Sequence, residues 1–365
     1  MTVDMYGLQE GRAWHVLAGL FFLVAGCVGG GLARNAETEK IRSVTLDARR
    51  VPDASVLPRL YSLGVTHVTL VQFGFQPRFD VPEIRMHVDA NWFSESDRGI
   101  RMLAEDADSL GMKIILKPHI WLGRYDSEGQ SRADIGFDVP EAWQAWEAQY
   151  RRFLLHYARL ANEIGAGMLV IGTELARSVR ERPEFWRGLV REVRAQYDGP
   201  LTYAANWWEE YEDIEFWDKL DYIGIQAYFE LSHAVDPSKE VLHAGWEPHK
   251  KTMSALSKET GRRILFTEIG YRNVPTAAAE PWRWPSRSEV GRVNADDALQ
   301  ERLYAVFFES LWEEPWFAGA ILWKWKSDDD RRGSRLDFSI QGRPAERVIA
   351  KWFGPVSPWI QSSVK

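Results

Sequence analysis

Short apolar runs of strand type alternate with helical patterns from about residue 41 to near the end of this chain. The predicted strands are Ile41–Asp47, His67–Gln72, Lys113–His119, Met168–Glu174, Leu201–Asn206, Tyr222–Tyr228, Ile264–Glu268 and Ala320–Trp325. Apolar residues at spacings of three and four predict helices between them. These helices are Arg98–Leu110, Glu141–Ile164, Pro183–Tyr197, Pro248–Thr260, Asp296–Glu313 and Pro344–Trp352. Strands that are apolar throughout indicate a parallel sheet with both faces buried.

Eight such units close most economically into a single-domain (β/α)8 TIM barrel, an α/β fold. The alternative is an open, doubly wound sheet, which often carries a glycine-rich phosphate turn after its first strand. This chain has Asp47-Ala48-Arg49-Arg50 at that point instead. We therefore predict one barrel domain over residues 41–356.

The first 26 residues predict an export signal. Ala13 to Gly26 is almost entirely apolar, but it is shorter than the roughly 20 residues of a membrane span. Leu23-Val24-Ala25-Gly26-Cys27 resembles the lipobox of bacterial lipoproteins, and Cys27 is the only cysteine. We expect lipidation at Cys27, a tether over residues 27–40, and a membrane-anchored protein on the periplasmic or cell-surface face. A plain signal peptide or an uncleaved anchor is the alternative, and each version exports the domain.

Two glutamates end predicted strands. Glu174 ends the fourth strand and Glu268 ends the seventh. Barrel enzymes carry their catalytic groups at the carboxyl ends of the strands. Two carboxylates that meet there suit hydrolysis of a glycosidic bond, because one protonates the leaving oxygen while the other attacks or activates water. A salt-bridged structural carboxylate is the alternative for each.

The composition favours a neutral glycan as the partner. The net charge of −7, with interspersed signs, provides no basic stripe for nucleic acid. The 18 tryptophans suit the apolar faces of sugar rings, although most of them are expected in the core. Asp328-Asp329-Asp330 precedes two arginines, which predicts a solvated loop rather than a metal site.

Five segments resemble glycoside hydrolase family 113. They are Lys117-Pro118-His119-Ile120-Trp121, Gly172-Thr173-Glu174, Gln226-Ala227-Tyr228, Thr267-Glu268-Ile269-Gly270-Tyr271 and Leu322-Trp323-Lys324-Trp325. The described members of this family degrade β-mannan and resemble the wider clan of retaining barrel glycosidases. The resemblance implies that Glu174 is the acid/base and Glu268 the nucleophile, and it implies no metal or organic cofactor.

Polar and aromatic residues near the same strand ends are predicted to bind the sugar. They are Lys117, His119, Trp121, Thr173, Asn206, Trp207, Trp208, Gln226, Tyr228, Tyr271 and Trp323. Lys117, His119 and Trp121 lie two residues apart and so share one face, which either lines a subsite or packs against helices. Trp323 and Trp325 are expected on one face as well, with Trp323 favoured under the sugar at the cleavage point. Tyr228 is expected to donate a hydrogen bond to Glu268.

The chain departs from the wider clan at two of these positions. Many relatives have Asn where this chain has Thr173, and His where it has Gln226. Mannan is therefore the favoured substrate, with a capsule, exopolysaccharide or cell-wall glycan as the alternative. A non-catalytic glycan-binding barrel and a scaffold for protein partners also stay open. Residues 273–294 form an unusually long connection and are predicted to cover the substrate.

Overall fold

A computed structural model describes residues 39–86, 88–89, 92–123, 130–284, 286, 291–328 and 336–354. The predicted signal peptide, Cys27 and most of the predicted tether lie outside these ranges, as do Asp329 and Asp330. Within these ranges, no helix combines the length and the apolar character that a membrane span requires.

A closed barrel of eight parallel strands forms the centre of the fold. The described strands, eight in the barrel and one outside it, are β1 (Ile41–Asp47), β2 (His67–Gln76), β3 (Arg85–Met86), β4 (Lys113–Leu122), β5 (Met168–Thr173), β6 (Leu201–Asn206), β7 (Tyr222–Gln226), β8 (Arg263–Ile269) and β9 (Phe317–Lys326). Strand β3 pairs antiparallel with the end of β2 and is not part of the barrel. Strand β1 pairs with both β2 and β9, which closes the barrel. The predicted TIM barrel is confirmed, and the open sheet is excluded.

Helices lie between the barrel strands. They are α1 (Val56–Ser62), α2 (Asp97–Ser109), α3 (Pro140–Glu163), α4 (Ala176–Glu181), α5 (Pro183–Arg194), α6 (Lys239–Thr260), α7 (Asp297–Leu311) and α8 (Pro344–Phe353). Helix α6 begins well before the predicted start at Pro248, because Ser238 caps it and Pro248 lies in its interior. Helices α1 and α4 were not predicted, since such short segments carry little periodicity.

The barrel interior is mostly apolar below its carboxyl end. An apolar cluster there contains Ile41, Ile115, Met168, Val170, Ala204, Leu265, Ala318 and Ile321. Ser43, two residues from Ile41, forms a buried hydrogen bond with Thr69 between their hydroxyls over 2.8 Å. Side chains two residues apart on a strand share a face, so Lys117 lies above Ile115 and Asn206 lies above Ala204. A larger apolar layer between strands and helices includes the aromatic stripe of α3. The two layers leave the carboxyl ends of the strands to carry polar side chains.

Candidate active site

A cavity of about 1350 Å³ opens at the carboxyl ends of the barrel strands. The predicted site residues that line it are His119, Trp121, Glu174, Asn206, Trp207, Trp208, Gln226, Tyr228, Glu268 and Trp323. These residues lie on, or directly after, six of the barrel strands. The fold therefore brings most of the predicted site to one place.

Glu268 lies on β8 and is held by three donors. Lys117 Nζ donates to Oε2 over 2.8 Å, Gln226 Nε2 donates to the same oxygen over 2.9 Å, and the predicted hydrogen bond from Tyr228 to Oε1 is present. Burial of Glu268 opposes ionisation of its carboxyl. The charge of Lys117 and the three hydrogen bonds outweigh that effect and hold the pKa of Glu268 below its usual value.

Lys117 lies beneath Glu268 and is completely buried. Its ammonium group also donates to Gln226 Oε1 and to the carbonyl of Thr267, each over 2.8 Å. An ammonium group has three N–H donors, and these three acceptors occupy all of them. Burial lowers the pKa of Lys117, while the carboxylate of Glu268 opposes that change. Lys117 therefore orients Glu268 and Gln226 from below the cavity.

Glu174 follows the last residue of β5 and has a left-handed backbone, with φ of 54°. Its N–H donates to the carbonyl of Ala204 on the neighbouring strand over 2.8 Å. Its carboxyl accepts from Arg132 Nε at 2.9 Å through Oε2 and from Gln226 Nε2 at 3.4 Å through Oε1. A left-handed conformation is unfavourable for a residue other than glycine, so these contacts fix an otherwise costly geometry.

One amide nitrogen bridges the two glutamates. Gln226 Nε2 donates to Glu174 Oε1 over 3.4 Å and to Glu268 Oε2 over 2.9 Å. These two oxygens therefore lie at most about 6.3 Å apart, the sum of the two distances. The pair is close enough to act on the two sides of one glycosidic bond.

His119 lines the cavity with a neutral imidazole ring. Burial and the charges of Lys117 and Arg132 hold the pKa of His119 well below its usual range, so the ring is neutral at neutral pH. Arg132 Nη1 lies 3.1 Å from His119 Nδ1 and donates to it. The ring hydrogen must then lie on Nε2, which is buried and has no hydrogen-bond partner among the residues that the structure describes.

Indole rings surround the opening of the cavity. Trp121, Trp208, Trp282 and Trp284 all line it while about half of each side chain stays exposed. Trp207 lies deeper, with its ring in edge contact with Tyr228 at 5.6 Å. Trp282 and Trp284 belong to the long connection after Glu268, which thus contributes to the wall; the covering of a substrate by this segment stays a prediction.

The lining carries more acids than bases. Among the described lining residues the acids are Asp47, Asp89, Glu95, Glu174, Glu230 and Glu268, and the Lys and Arg residues are Arg132 and Lys324. Arg132 pairs with Glu174, Lys324 with Asp47, and the buried Lys117 with Glu268. The other lining acids are Asp89, Glu95 and Glu230, and their negative charge, reduced at Glu95 by its raised pKa, disfavours a polyanionic chain and tolerates a neutral one.

Three predicted substrate-binding residues are not among the described lining residues: Lys117, Thr173 and Tyr271. Thr173 and Tyr271 are both buried, and the ring of Tyr271 packs edge-on against Tyr304 at 5.2 Å. Direct contact of these three residues with a sugar stays a prediction.

The expectation that Trp323 and Trp325 share a face is wrong. Trp323 lines the cavity, whereas Trp325 is buried in the outer layer, with the guanidinium of Arg59 5.0 Å from its ring. The pairing of β9 with β1 shifts register between Val44 and Leu46. Such an irregularity interrupts the regular alternation of faces on which the expectation rested.

Six charged residues that line the cavity were not among the predicted site residues: Asp47, Asp89, Glu95, Arg132, Glu230 and Lys324. Asp47 and Lys324 could have been identified from the sequence, since Asp47 ends the first predicted strand and Lys324 follows Trp323 in one of the segments that resemble the family. Arg132 and Glu95 lie in short 3-10 turns within long connections, where sequence periodicity gives no signal. Burial, followed by the charge of Asp47, raises the pKa of Glu95 to about 7.

A closed barrel with two carboxylates paired across its mouth defines the class of protein as a barrel glycoside hydrolase. The model of Glycoside Hydrolase Family 113 matches residues 50–343, and the chain belongs to this family.

Solved structures support this assignment. A complex of a GH113 β-1,4-mannanase is 25% identical, covers 86% of this chain and 99% of its own, and has a TM-score of 0.72. The GH113 β-mannanase AaManA from Alicyclobacillus acidocaldarius, in complex with ManMIm, is 26% identical with coverages of 89% and 98% and a TM-score of 0.72. A β-glucuronidase from Ruminococcus gnavus, with 12% identity, 86% and 50% coverage and a TM-score of 0.56, shares the fold. A search of curated protein sequences gave no match.

Proposed function

We propose that this glycoside hydrolase cleaves a β-mannan-type glycan by double displacement, with Glu268 as the nucleophile and Glu174 as the acid/base. The observation that carries the proposal is the bridge from Gln226 Nε2 to both carboxyl groups. It limits the two bridged oxygens to a separation of about 6.3 Å, which supports direct attack by a carboxylate rather than attack by an interposed water.

In the first step a Glu268 oxygen forms a bond to the anomeric carbon as the glycosidic bond breaks. Glu174 gives its proton to the departing oxygen, so the leaving sugar departs neutral. The lowered pKa of Glu268 keeps the attacking carboxylate ionised. The ion pair of Glu174 with Arg132 requires an ionised Glu174 carboxyl. The protonated Glu174 that starts this step therefore lacks that ion pair.

In the second step water attacks the glycosyl-enzyme. Glu174, now ionised, takes a proton from that water, and the bond between the sugar and Glu268 breaks. Both carboxyl groups then return to their starting states. Attack twice on the same carbon gives net retention of configuration.

Two observations favour mannan as the substrate. Solved GH113 relatives are named β-mannanases, and they match nearly their whole length to this chain. The negative surplus of the cavity lining favours a neutral polymer over an acidic capsule or exopolysaccharide. A neutral surface glycan of the producing cell is the alternative substrate.

We also propose export and anchoring through a lipid on Cys27. The support is the apolar segment before the only cysteine of the chain. The test is detergent-phase partitioning of the protein expressed in a bacterium. The wild type should enter the detergent phase and Cys27→Ser should stay aqueous; an aqueous wild type would contradict the anchor.

The function is tested by release of reducing ends from β-mannans, β-glucans and bacterial surface glycans. We expect the wild type to cleave a β-mannan and Glu268→Ala to lose this activity. Glu240→Ala, at an exposed position on α6, is the matched control and should retain full activity. Binding of one glycan by wild type and Glu268→Ala alike, without cleavage by either, would instead indicate a non-catalytic binding barrel.

A further inference from the structure

A third buried carboxyl lies beside the paired glutamates. Glu210 follows β6 in a loop and is only 4% exposed. Its Oε1 accepts a hydrogen bond from Tyr203 Oη over 2.6 Å. Its Oε2 accepts from the backbone N–H of Asn206 over 2.6 Å and from Asn206 Nδ2 over 2.8 Å. Both oxygens of Glu210 therefore act as acceptors, and one of its partners lines the catalytic cavity.

Tyr203 connects Glu210 to the segment that carries Glu174. The Tyr203 hydroxyl donates to Glu210 and accepts from the backbone N–H of Leu175 over 2.6 Å. Its ring packs edge-on against Trp186 at 5.4 Å and Trp217 at 6.3 Å, so the hydroxyl is held in place. A continuous path of two hydrogen bonds thus runs from Glu210 to the residue after Glu174.

The backbone at Glu174 needs such support. Its φ of 54° is a left-handed conformation that is unfavourable for a residue with a side chain. The N–H of Glu174 bonds to Ala204, and the next N–H, of Leu175, bonds to Tyr203. Two consecutive amides are thereby attached to β6, which fixes the direction in which the Glu174 side chain leaves the backbone.

We propose that Glu210 is a positioning residue, which holds the acid/base Glu174 through Tyr203 and holds Asn206 at the cavity wall. This inference rests on the proposed role of Glu174. The ionised carboxyl suits the position, because three donors point at its two oxygens. Burial raises the pKa of Glu210 to about 7, so this arrangement belongs to the ionised form above that pH. An amide at this position would turn an N–H towards one of those donors and leave at least one hydrogen bond unmade.

The test compares Glu210→Gln and Tyr203→Phe with the wild type, and uses Glu212→Gln, an exposed neighbour in the same loop, as the matched control. Tyr203→Phe keeps the ring contacts and removes only the hydroxyl. It therefore tests the same hydrogen-bonded path even if Glu210→Gln fails to fold. The first readout is the hydrogen-exchange rate of the Leu175 amide, which requires no enzymatic activity. The second is kcat/KM on mannan and on an aryl β-mannoside whose leaving group departs without a proton.

We expect the Leu175 amide to exchange at least about tenfold faster in both variants. In Tyr203→Phe the Leu175 N–H loses its acceptor, and in Glu210→Gln the Tyr203 hydroxyl that accepts it loses its own hydrogen-bond partner. For kcat/KM we expect a loss of about 100-fold on mannan, comparable to a small misplacement of a catalytic group. On the aryl mannoside the loss should stay below about threefold, since the first step no longer needs the acid. Glu212→Gln should match the wild type in both readouts.

Equal losses on the two substrates would indicate a general structural defect and overturn the inference. Unchanged Leu175 exchange in both variants would overturn it as well. A wild type that cleaves neither substrate would contradict the proposed function instead. In that case the exchange rate alone would still decide whether Glu210 holds the backbone at Glu174.

Discussion

Lys117 Nζ lies 2.8 Å from Oε2 of Glu268, and the lysine is completely buried while Glu268 is almost so. A buried ion pair of this kind contributes little net stability, because both charges have lost their hydration. Removal of only one partner is costly, since it leaves the other charge buried alone. The lysine therefore matters chiefly for the ionisation and orientation of Glu268.

Lys117→Met tests this relationship by removing the charge while keeping an unbranched side chain. We expect the free energy of unfolding to fall by about 3–5 kcal/mol, because Glu268 would remain buried without a cation. The pKa of Glu268 should rise, so the acid limb of kcat/KM against pH should move to higher pH. Chemical denaturation and a pH–rate profile measure the two effects.

The control for that variant is Lys113→Met at the start of the same strand. Lys113 is half exposed and pairs with Asp108 at the surface, where ion pairs contribute little. Its loss should change stability by less than about 0.5 kcal/mol and leave the pH profile unchanged. An acid limb that stays in place in Lys117→Met would show that Lys117 does not control Glu268.

The short span between the two carboxyl groups predicts the configuration of the product. Proton NMR during hydrolysis of a β-mannan oligosaccharide should show the β anomer of the new reducing end first, followed by slow mutarotation. Initial appearance of the α anomer would mean that water attacks directly, and it would contradict the proposed double displacement.

The burial of Glu210 predicts a pH-dependent stability. Burial raises the pKa of Glu210 from its ordinary value of 4.5 to about 7, so between these pH values the folded protein keeps a proton that the unfolded chain releases. Its stabilising contribution is therefore complete below pH 4.5 and is lost as the pH rises to 7. The free energy of unfolding of the wild type, relative to Glu210→Gln, should fall by about 3 kcal/mol across this range. A constant difference would contradict the raised pKa.

Trp208 should contribute to affinity for long chains rather than to chemistry. Its side chain is 48% exposed and lines the cavity, as expected for a ring that stacks on a sugar outside the cleavage point. Trp208→Ala should raise KM for mannan about tenfold, in line with the loss of one aromatic contact, and leave kcat nearly unchanged. An aryl mannoside, which is too short to reach the ring, provides the control and should be hydrolysed as before.

Sequence patterns predicted the barrel because its determinants are local. Apolar runs such as Leu201–Asn206 and the aromatic spacing in α3 directly indicate which residues are buried. The observed strand and helix begin and end within a few residues of the predicted bounds. Glu174 and Glu268 could be singled out since each ends such a run. Helix α6 was shortened in the prediction because Pro248 resembles a helix start.

The contacts among site residues were less accessible to sequence reasoning. Arg132 lies in a short 3-10 turn and reaches Glu174 only through the packing of separate segments. Glu210 lies in the loop after β6, where sequence periodicity gives no signal of its contact with Tyr203. The ion pair of Lys117 with Glu268 was not predicted, because the depth of Lys117 below the cavity depends on how deep β4 sits in the barrel. Such depths are set by packing between strands that are distant in sequence.

The most direct test of the proposed mechanism is covalent trapping of the nucleophile. The protein would be incubated with an activated 2-deoxy-2-fluoro-mannoside, which slows the second step more than the first, and then mapped by peptide mass spectrometry. We predict one fluorosugar on the peptide that contains Glu268, and no such adduct in Glu268→Gln. A label on Glu174 or elsewhere, or mannan hydrolysis that continues unchanged in Glu268→Gln, would contradict the assignment of Glu268 as the nucleophile.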